Sequence, residues 1–109
     1  MHIAAIPFDT TDWAAVPAVD HPGATGVARW RTRQLGDIRV RMVEYSAGYM
    51  ADHWCEKGHI LLCLGGELHT ELSDGRTVVL TAGMSYQVGD AVAPHRSSTP
   101  TGARLFIVD

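Results

Sequence analysis

Apolar residues along this chain recur at every second position rather than at helical spacing, which makes β-strands the dominant expectation. Trp30 to Leu35 and Ile38 to Tyr45 flank Gly36-Asp37, a dipeptide suited to a tight hairpin turn. Ile60 to Leu64 is a continuous apolar run closed by Gly65-Gly66. Leu68, Thr70 and Leu72 then alternate with Glu67, His69 and Glu71 before the turn Ser73-Asp74-Gly75. Arg76 to Leu80, Met84 to Val88 and Ala103 to Val108 complete the series. Short strands separated by Gly, Pro and Asp turns at intervals of roughly 8–12 residues predict an all-β sandwich or barrel. Helix is confined to one turn near Thr11 to Ala15, with Thr10 or Thr11 as its cap.

Composition adds limits rather than identity. With 109 residues, 46% of them apolar and 19% charged, the chain is expected to form one domain with a core that needs no disulfide. Residues 1–25, holding three prolines and scattered apolar anchors, read as an extended arm or edge strand of the same domain. Residues 26–109 read as the barrel. The net charge of −3 gives no reason to expect nucleic acid or a membrane surface as partner. No window approaches the ~20 apolar residues of a membrane span, and the opening Met1 to Pro7 lacks the pattern of a secretion signal. The expected location is cytoplasmic.

Chemistry concentrates in Asp52-His53-Trp54-Cys55-Glu56-Lys57-Gly58-His59. If this stretch is a strand, His53 and Cys55 project from one face. A bend at Lys57-Gly58 would turn His59 back toward them, and His95 is a distant fourth donor. Imidazole and thiolate are the ligands first-row transition metals favour, so His53, Cys55, His59 and His95 form the expected metal shell. Against this stand plainer readings: Cys55 as an inert buried thiol, His59 as a hydrogen-bonding neighbour of the site. Tyr86, Met84 and Cys63 are candidates for substrate contact, with Tyr86 the one candidate catalytic group; core packing is the rival account of each. Trp54 should point away from its ligating neighbours, and Arg96 away from His95. His69 reads as part of a solvated face with Glu67 and Glu71, and His2 and His21 carry no signal. Five arginines, Arg29, Arg31, Arg33, Arg39 and Arg41, are expected to form a cross-strand basic face, solvated or in a subunit contact.

Gly48 through Glu67, "GYMADHWCEKGHILLCLGGE", resembles the first motif of the cupin superfamily, and Gly83 to Ser98, "GMSYQVGDAVAPHRSS", the second. More narrowly, the chain is similar to small single-domain proteins called DHCW-motif cupins. The resemblance sets His53 and Cys55 on the motif's two histidines, His59 where a glutamate is usual, and His95 on the histidine that closes the second motif. It implies a single-domain double-stranded β-helix, or jelly-roll barrel. It also implies one divalent transition metal (Zn, Fe, Ni, Co or Mn), a small-molecule ligand inside the barrel, and a homodimer.

Three functions follow as expectations. The first is a metalloenzyme of oxygenase or isomerase type acting on a small organic molecule. The second is a non-catalytic metal- or ligand-sensing barrel, and the third a barrel with a purely structural zinc. Catalysis needs an open coordination position, whereas a structural zinc is closed by four protein ligands.

Overall fold

The alternating pattern becomes eight strands in the computed structural model, which describes residues 3–109. In chain order they are β1 (Ala18–Pro22), β2 (Val27–Leu35), β3 (Ile38–Tyr45), β4 (His59–Leu72), β5 (Thr77–Thr81), β6 (Ser85–Val88), β7 (His95–Ser98) and β8 (Ala103–Val108). All pairings are antiparallel. One sheet runs β1-β2-β3-β8 onto the first half of β4, with β6 on the far side of that half. The second half of β4 pairs with β5 and β7. β4 therefore belongs to both layers of a jelly-roll barrel.

The sequence suggests two strands where the structure has this one. Ile60 to Leu64 and Leu68 to Leu72 are joined through Gly65-Gly66, where the β4–β8 register shifts by a bulge. Gly66 has φ +73, and a Cβ there would lie 2.1 Å from the Gly102 carbonyl oxygen. Only glycine lets the strand turn the corner this close to its neighbour. β7 carries no periodic signal of its own in the sequence. It is four residues long and is held by β4 through Leu72↔His95 and Thr70↔Ser97.

The Gly36-Asp37 hairpin forms as expected, with Leu35 opposite Ile38 and Gly36 at φ +61. The arm also pairs: Ala18 to Pro22 add an edge strand to β2. The expected helical turn is a single 3₁₀ turn, Trp13–Ala15, and its cap is Asp12 rather than Thr10 or Thr11. The Asp12 carboxylate accepts from Ala14 N at 3.1 Å, the shortest reach available to a one-turn element.

Strand alternation sorts the interior into layers. Val43, Leu105 and Cys63 are adjacent across β3, β8 and β4, and all are 1% exposed or less. Leu61, Leu68, Leu80 and Ile107 extend this apolar plug. Two residues further, Arg41 of β3 lies opposite Ile107 of β8, and four residues further the inward side chains are Arg39 and Asp109. The apolar layer fixes the barrel, and the polar layer sits at its open end.

The five arginines do not share a face. Register places Arg29, Arg31 and Arg33 opposite Glu44, Met42 and Val40, whereas Arg41 and Arg39 lie opposite Thr32 and Gln34. Residues directly opposite each other share a face, so odd positions on β2 and odd positions on β3 point to opposite sides. Arg29 pairs with Asp20 at 3.0 Å, and Arg31 donates to the carbonyls of Trp13, Ala14 and Val16. Arg33 reaches Thr11 Oγ1 at 3.1 Å, so the outer arginines pin the arm. Arg39 and Arg41 face into the barrel.

Candidate metal centre

Two backbone devices bring the donors together. Cys55 and His95 form an isolated antiparallel bridge, Cys55 N to His95 O at 2.7 Å and His95 N to Cys55 O at 3.0 Å. A bridged pair projects its side chains to one side. The Glu56-to-Gly58 bend is laced to the 89–91 loop by Gly58 N to Asp90 Oδ1 at 2.7 Å and Ala91 N to Glu56 O at 2.8 Å. A Cβ on Gly58 would fall 2.6 Å from Asp90 N, so glycine is required for this approach. His59 follows at once, as the first residue of β4.

Among the described residues, Cys55, His59 and His95 form a group whose ligand atoms all lie within 4.8 Å of one another. The two imidazole Nε2 atoms are 3.1 Å apart. His95 Nδ1–H donates to the Ala93 carbonyl at 2.8 Å, which leaves the Nε2 lone pair free for a cation. His59 Nε2 also meets the Tyr86 hydroxyl at 2.9 Å. On its other side, His59 Nδ1 is buried without a hydrogen-bond partner and faces Asp109 Oδ2 at 3.8 Å. At that distance no hydrogen bond forms, so the carboxylate acts on the imidazole through its charge.

Electrostatics agree with the geometry. Burial, then the neighbouring His95, lower the His59 pKa to about 4, so the ring is neutral at pH 7 as a metal ligand must be. Burial pushes the Tyr86 hydroxyl well above its ordinary value, which keeps it protonated. Burial alone would raise the Asp109 pKa. The hydrogen bond from Arg39 and the charges of Arg41 and Arg39 outweigh it and hold the carboxyl below its usual range. Arg39 grips Asp109 through Nε at 2.8 Å and Nη2 at 2.9 Å, and Arg41 Nη2 adds a contact at 3.1 Å. The Asp109 side chain is 1% exposed.

Two cavities meet at this cluster. The larger, about 710 Å³, has mostly apolar walls that include Ile60, Leu72, Val78, Val88 and Val108. The smaller, about 270 Å³, is lined by Arg39, Arg41, Tyr45, Tyr49 and Cys55 among others. His59, Tyr86 and His95 line both, so they form the partition.

The donor set fits a transition metal: two imidazoles and a thiol, one imidazole held by a backbone carbonyl and the other backed by a carboxylate. The fourth expected ligand lines the smaller cavity but lies outside the group of three. His53 lies in a bend, its side chain 75% exposed, with Nδ1 bound to Asp52 Oδ1 at 2.7 Å. The segment before Cys55 is not a strand, so two-residue alternation does not carry His53 to the same face.

Of the candidates for substrate contact, Tyr86 lines both cavities. Met84 and Cys63 line neither. Cys63 is fully buried in the apolar plug, with Sγ 3.5 Å from the Gly65 carbonyl. Met84 turns outward, 45% exposed, where its sulfur accepts from Thr81 Oγ1 at 3.4 Å. Arg96 stacks over the Trp54 ring at 4.8 Å and pairs with Glu71 at 3.0 Å. His69 pairs with Glu67 at the surface, and His21 stacks on Trp30. His2 lies outside the described residues. Asp109, Arg39 and Arg41 complete the site without having been singled out for it. The signal was the alternation of Ala103, Leu105 and Ile107, which continues inward to Asp109.

No family model matches the sequence, and no curated protein is detectably similar to it. Solved structures are similar in fold. An RmlC-like cupin from Shewanella frigidimarina superposes with a TM-score of 0.74 at 20% identity, covering 94% of this chain and 90% of that one. Ectoine synthase from P. lautus gives a TM-score of 0.74 at 18% identity, covering 93% and 76%. A structure of Fe(II)-HppE with an alternative substrate gives 0.77 at 14% identity, covering 94% and 60%. The chain has the cupin fold.

Proposed function

We propose that the protein binds one divalent transition metal through Cys55, His59 and His95, and that it is an enzyme acting on a small organic molecule held beside that metal. The observation that carries this reading is the convergence of the three donor atoms within 4.8 Å at a partition between two cavities. Three protein ligands leave a coordination position free, which catalysis needs and a structural zinc does not. Such a metal supplies a Lewis acid or an oxygen-activating centre. The chain's own residues do the rest: Tyr86 holds a proton at its hydroxyl 2.9 Å from His59, available to an oxygen atom that gains charge beside the metal. The low-identity neighbours ectoine synthase and Fe(II)-HppE lend the enzyme reading support by fold alone.

Elemental analysis of protein purified without an affinity metal tests the site. The expected result is one metal per chain in the wild type and in His53→Ala, and less than about a fifth of that in His59→Ala and His95→Ala. Equal metal in all four proteins would remove the assignment. A fourth protein ligand in a metal-bound structure would turn the reading to structural zinc.

A further inference from the structure

The smaller cavity has a charge character that the metal ligands do not explain. Among the described residues no Asp or Glu lines it, while three arginines do: Arg96, which pairs with Glu71, and Arg39 and Arg41. The last two share a single carboxylate, Asp109, which lines the larger cavity instead. Arg41 is 6% exposed, and its Nε is buried with no hydrogen-bond partner. It lies over the Trp30 ring at 4.3 Å, a contact that offsets part of its desolvation without neutralising it. Two guanidiniums, Arg41 buried and Arg39 partly exposed, thus share one carboxylate at the wall of a chamber that also contains Cys55, His59 and His95. Burying positive charge that is only partly matched is unfavourable, and a ligand of opposite sign relieves it.

Position relates this charge to the metal centre. Asp109 Oδ2 touches Arg41 Nη2 at 3.1 Å and faces His59 Nδ1 at 3.8 Å, so the guanidinium and the imidazole flank one oxygen atom. At about 270 Å³ the chamber is below the ~300–1,000 Å³ of pockets that take drug-sized ligands. Tyr45, Tyr49, Tyr86 and Ser97 add hydroxyls and aromatic surface.

We infer that this chamber binds a small carboxylate-bearing molecule, its carboxylate compensating the Arg41–Arg39 pair while the rest of the molecule lies against Cys55, His59 and His95. The inference rests on the metal-site reading above and names the substrate class for it. The planar guanidinium presents paired N–H donors that fit the two oxygens of a carboxylate, and the small chamber favours a short-chain acid.

The test uses propionate, its neutral isostere propionamide, and inorganic phosphate, titrated into metal-loaded wild-type protein and followed by calorimetry and tryptophan fluorescence. Saturable binding of propionate, at least tenfold tighter than propionamide or phosphate, is expected. Arg41→Met should weaken propionate at least tenfold while one metal per chain is retained; Arg41→Lys should recover part of the loss. Equal binding of propionate and propionamide, no binding of propionate, or tighter binding of phosphate would overturn the inference. So would propionate binding that survives Arg41→Met yet disappears on chelation, because the metal alone would then hold the carboxylate. If Arg41→Met does not fold, the wild-type comparison of the three probes still decides. Metal content is measured separately, so loss of the metal site and loss of the carboxylate site give different results.

Discussion

The Nε2 atoms of His59 and His95 face each other at 3.1 Å. Two nitrogens bound to one tetrahedral zinc at about 2.0–2.1 Å each would stand about 3.3 Å apart, so the spacing of this pair matches that of two zinc ligands. His95 uses Nδ1–H on Ala93, so a hydrogen bond between the two rings requires the His59 proton on Nε2 and leaves His59 Nδ1 bare toward Asp109. The Tyr86 hydroxyl competes for the same His59 nitrogen. A site with more acceptors than protons is poised for a metal.

Sulfur ligation sets the metal preference. Cys55→Ser should lower zinc affinity at least tenfold relative to cobalt or manganese, since a thiolate favours softer ions and a hydroxyl does not. Cobalt substitution provides the measurement: the wild type should show a sulfur-to-cobalt charge-transfer band in the near ultraviolet that Cys55→Ser lacks. A band of equal intensity in both proteins would place the sulfur outside the shell.

The His59 pKa makes metal-free stability depend on pH. Its folded value is about 4 against an unfolded value near 6.5, so between those limits the unfolded chain takes up a proton that the folded chain refuses. The contribution is fully present above pH 6.5 and is lost as pH falls toward 4. It amounts to about 2 kcal/mol once solvent screening is allowed for. Urea unfolding of metal-free protein at pH 7 and pH 4.5 measures it, and His59→Gln should flatten that part of the profile. An unchanged slope in the variant would mean that other groups govern the acid limb.

Period-two patterning made the strands and the Gly36-Asp37 hairpin legible, because each depends on local spacing and one turn. Cys55, His59 and His95 were legible as donor types, and His95 sits where the second motif ends. His53 misled because alternation was applied to a bend, where backbone dihedrals follow loop contacts such as Gly58 to Asp90 rather than the pleat. The arginines misled for a different reason: a two-residue turn reverses the parity of facing positions, so equal spacing along β2 and β3 does not mean one face. Cys63 and Met84 differ from Tyr86 through tertiary packing, which alternation alone does not encode.

The corner in β4 depends on a conformation that only glycine accepts cheaply. Gly66→Ala should cost about 3 kcal/mol, combining left-handed strain with the 2.1 Å approach to Gly102 O. Gly48→Ala is the control: φ is +79 there, but nothing lies within 4 Å of the added Cβ, so only about 1 kcal/mol is expected. Chemical denaturation of both variants measures the difference. Equal midpoints would mean that β4 yields at the corner without loss.

Asp109 joins stability to the metal centre, and replacement should separate the two roles. Asp109→Asn leaves Arg41 buried and Arg39 partly exposed without their anion, a change that costs about 3 kcal/mol, the low end for a broken buried pair. It also removes the charge facing His59 Nδ1, which should weaken metal binding about tenfold, the low end of the effect of losing an outer-shell partner, since no hydrogen bond is lost. Arg39→Met supplies the contrast, since Asp109 then retains Arg41 and its position behind His59. That variant should lose stability but keep metal affinity within about threefold of wild type. Competition with a chromophoric chelator, read beside urea unfolding, gives both quantities on the same samples. If Arg39→Met and Asp109→Asn weakened metal binding equally, the carboxylate would act only by holding the barrel together; a selective loss in Asp109→Asn means that it acts on His59 through its charge.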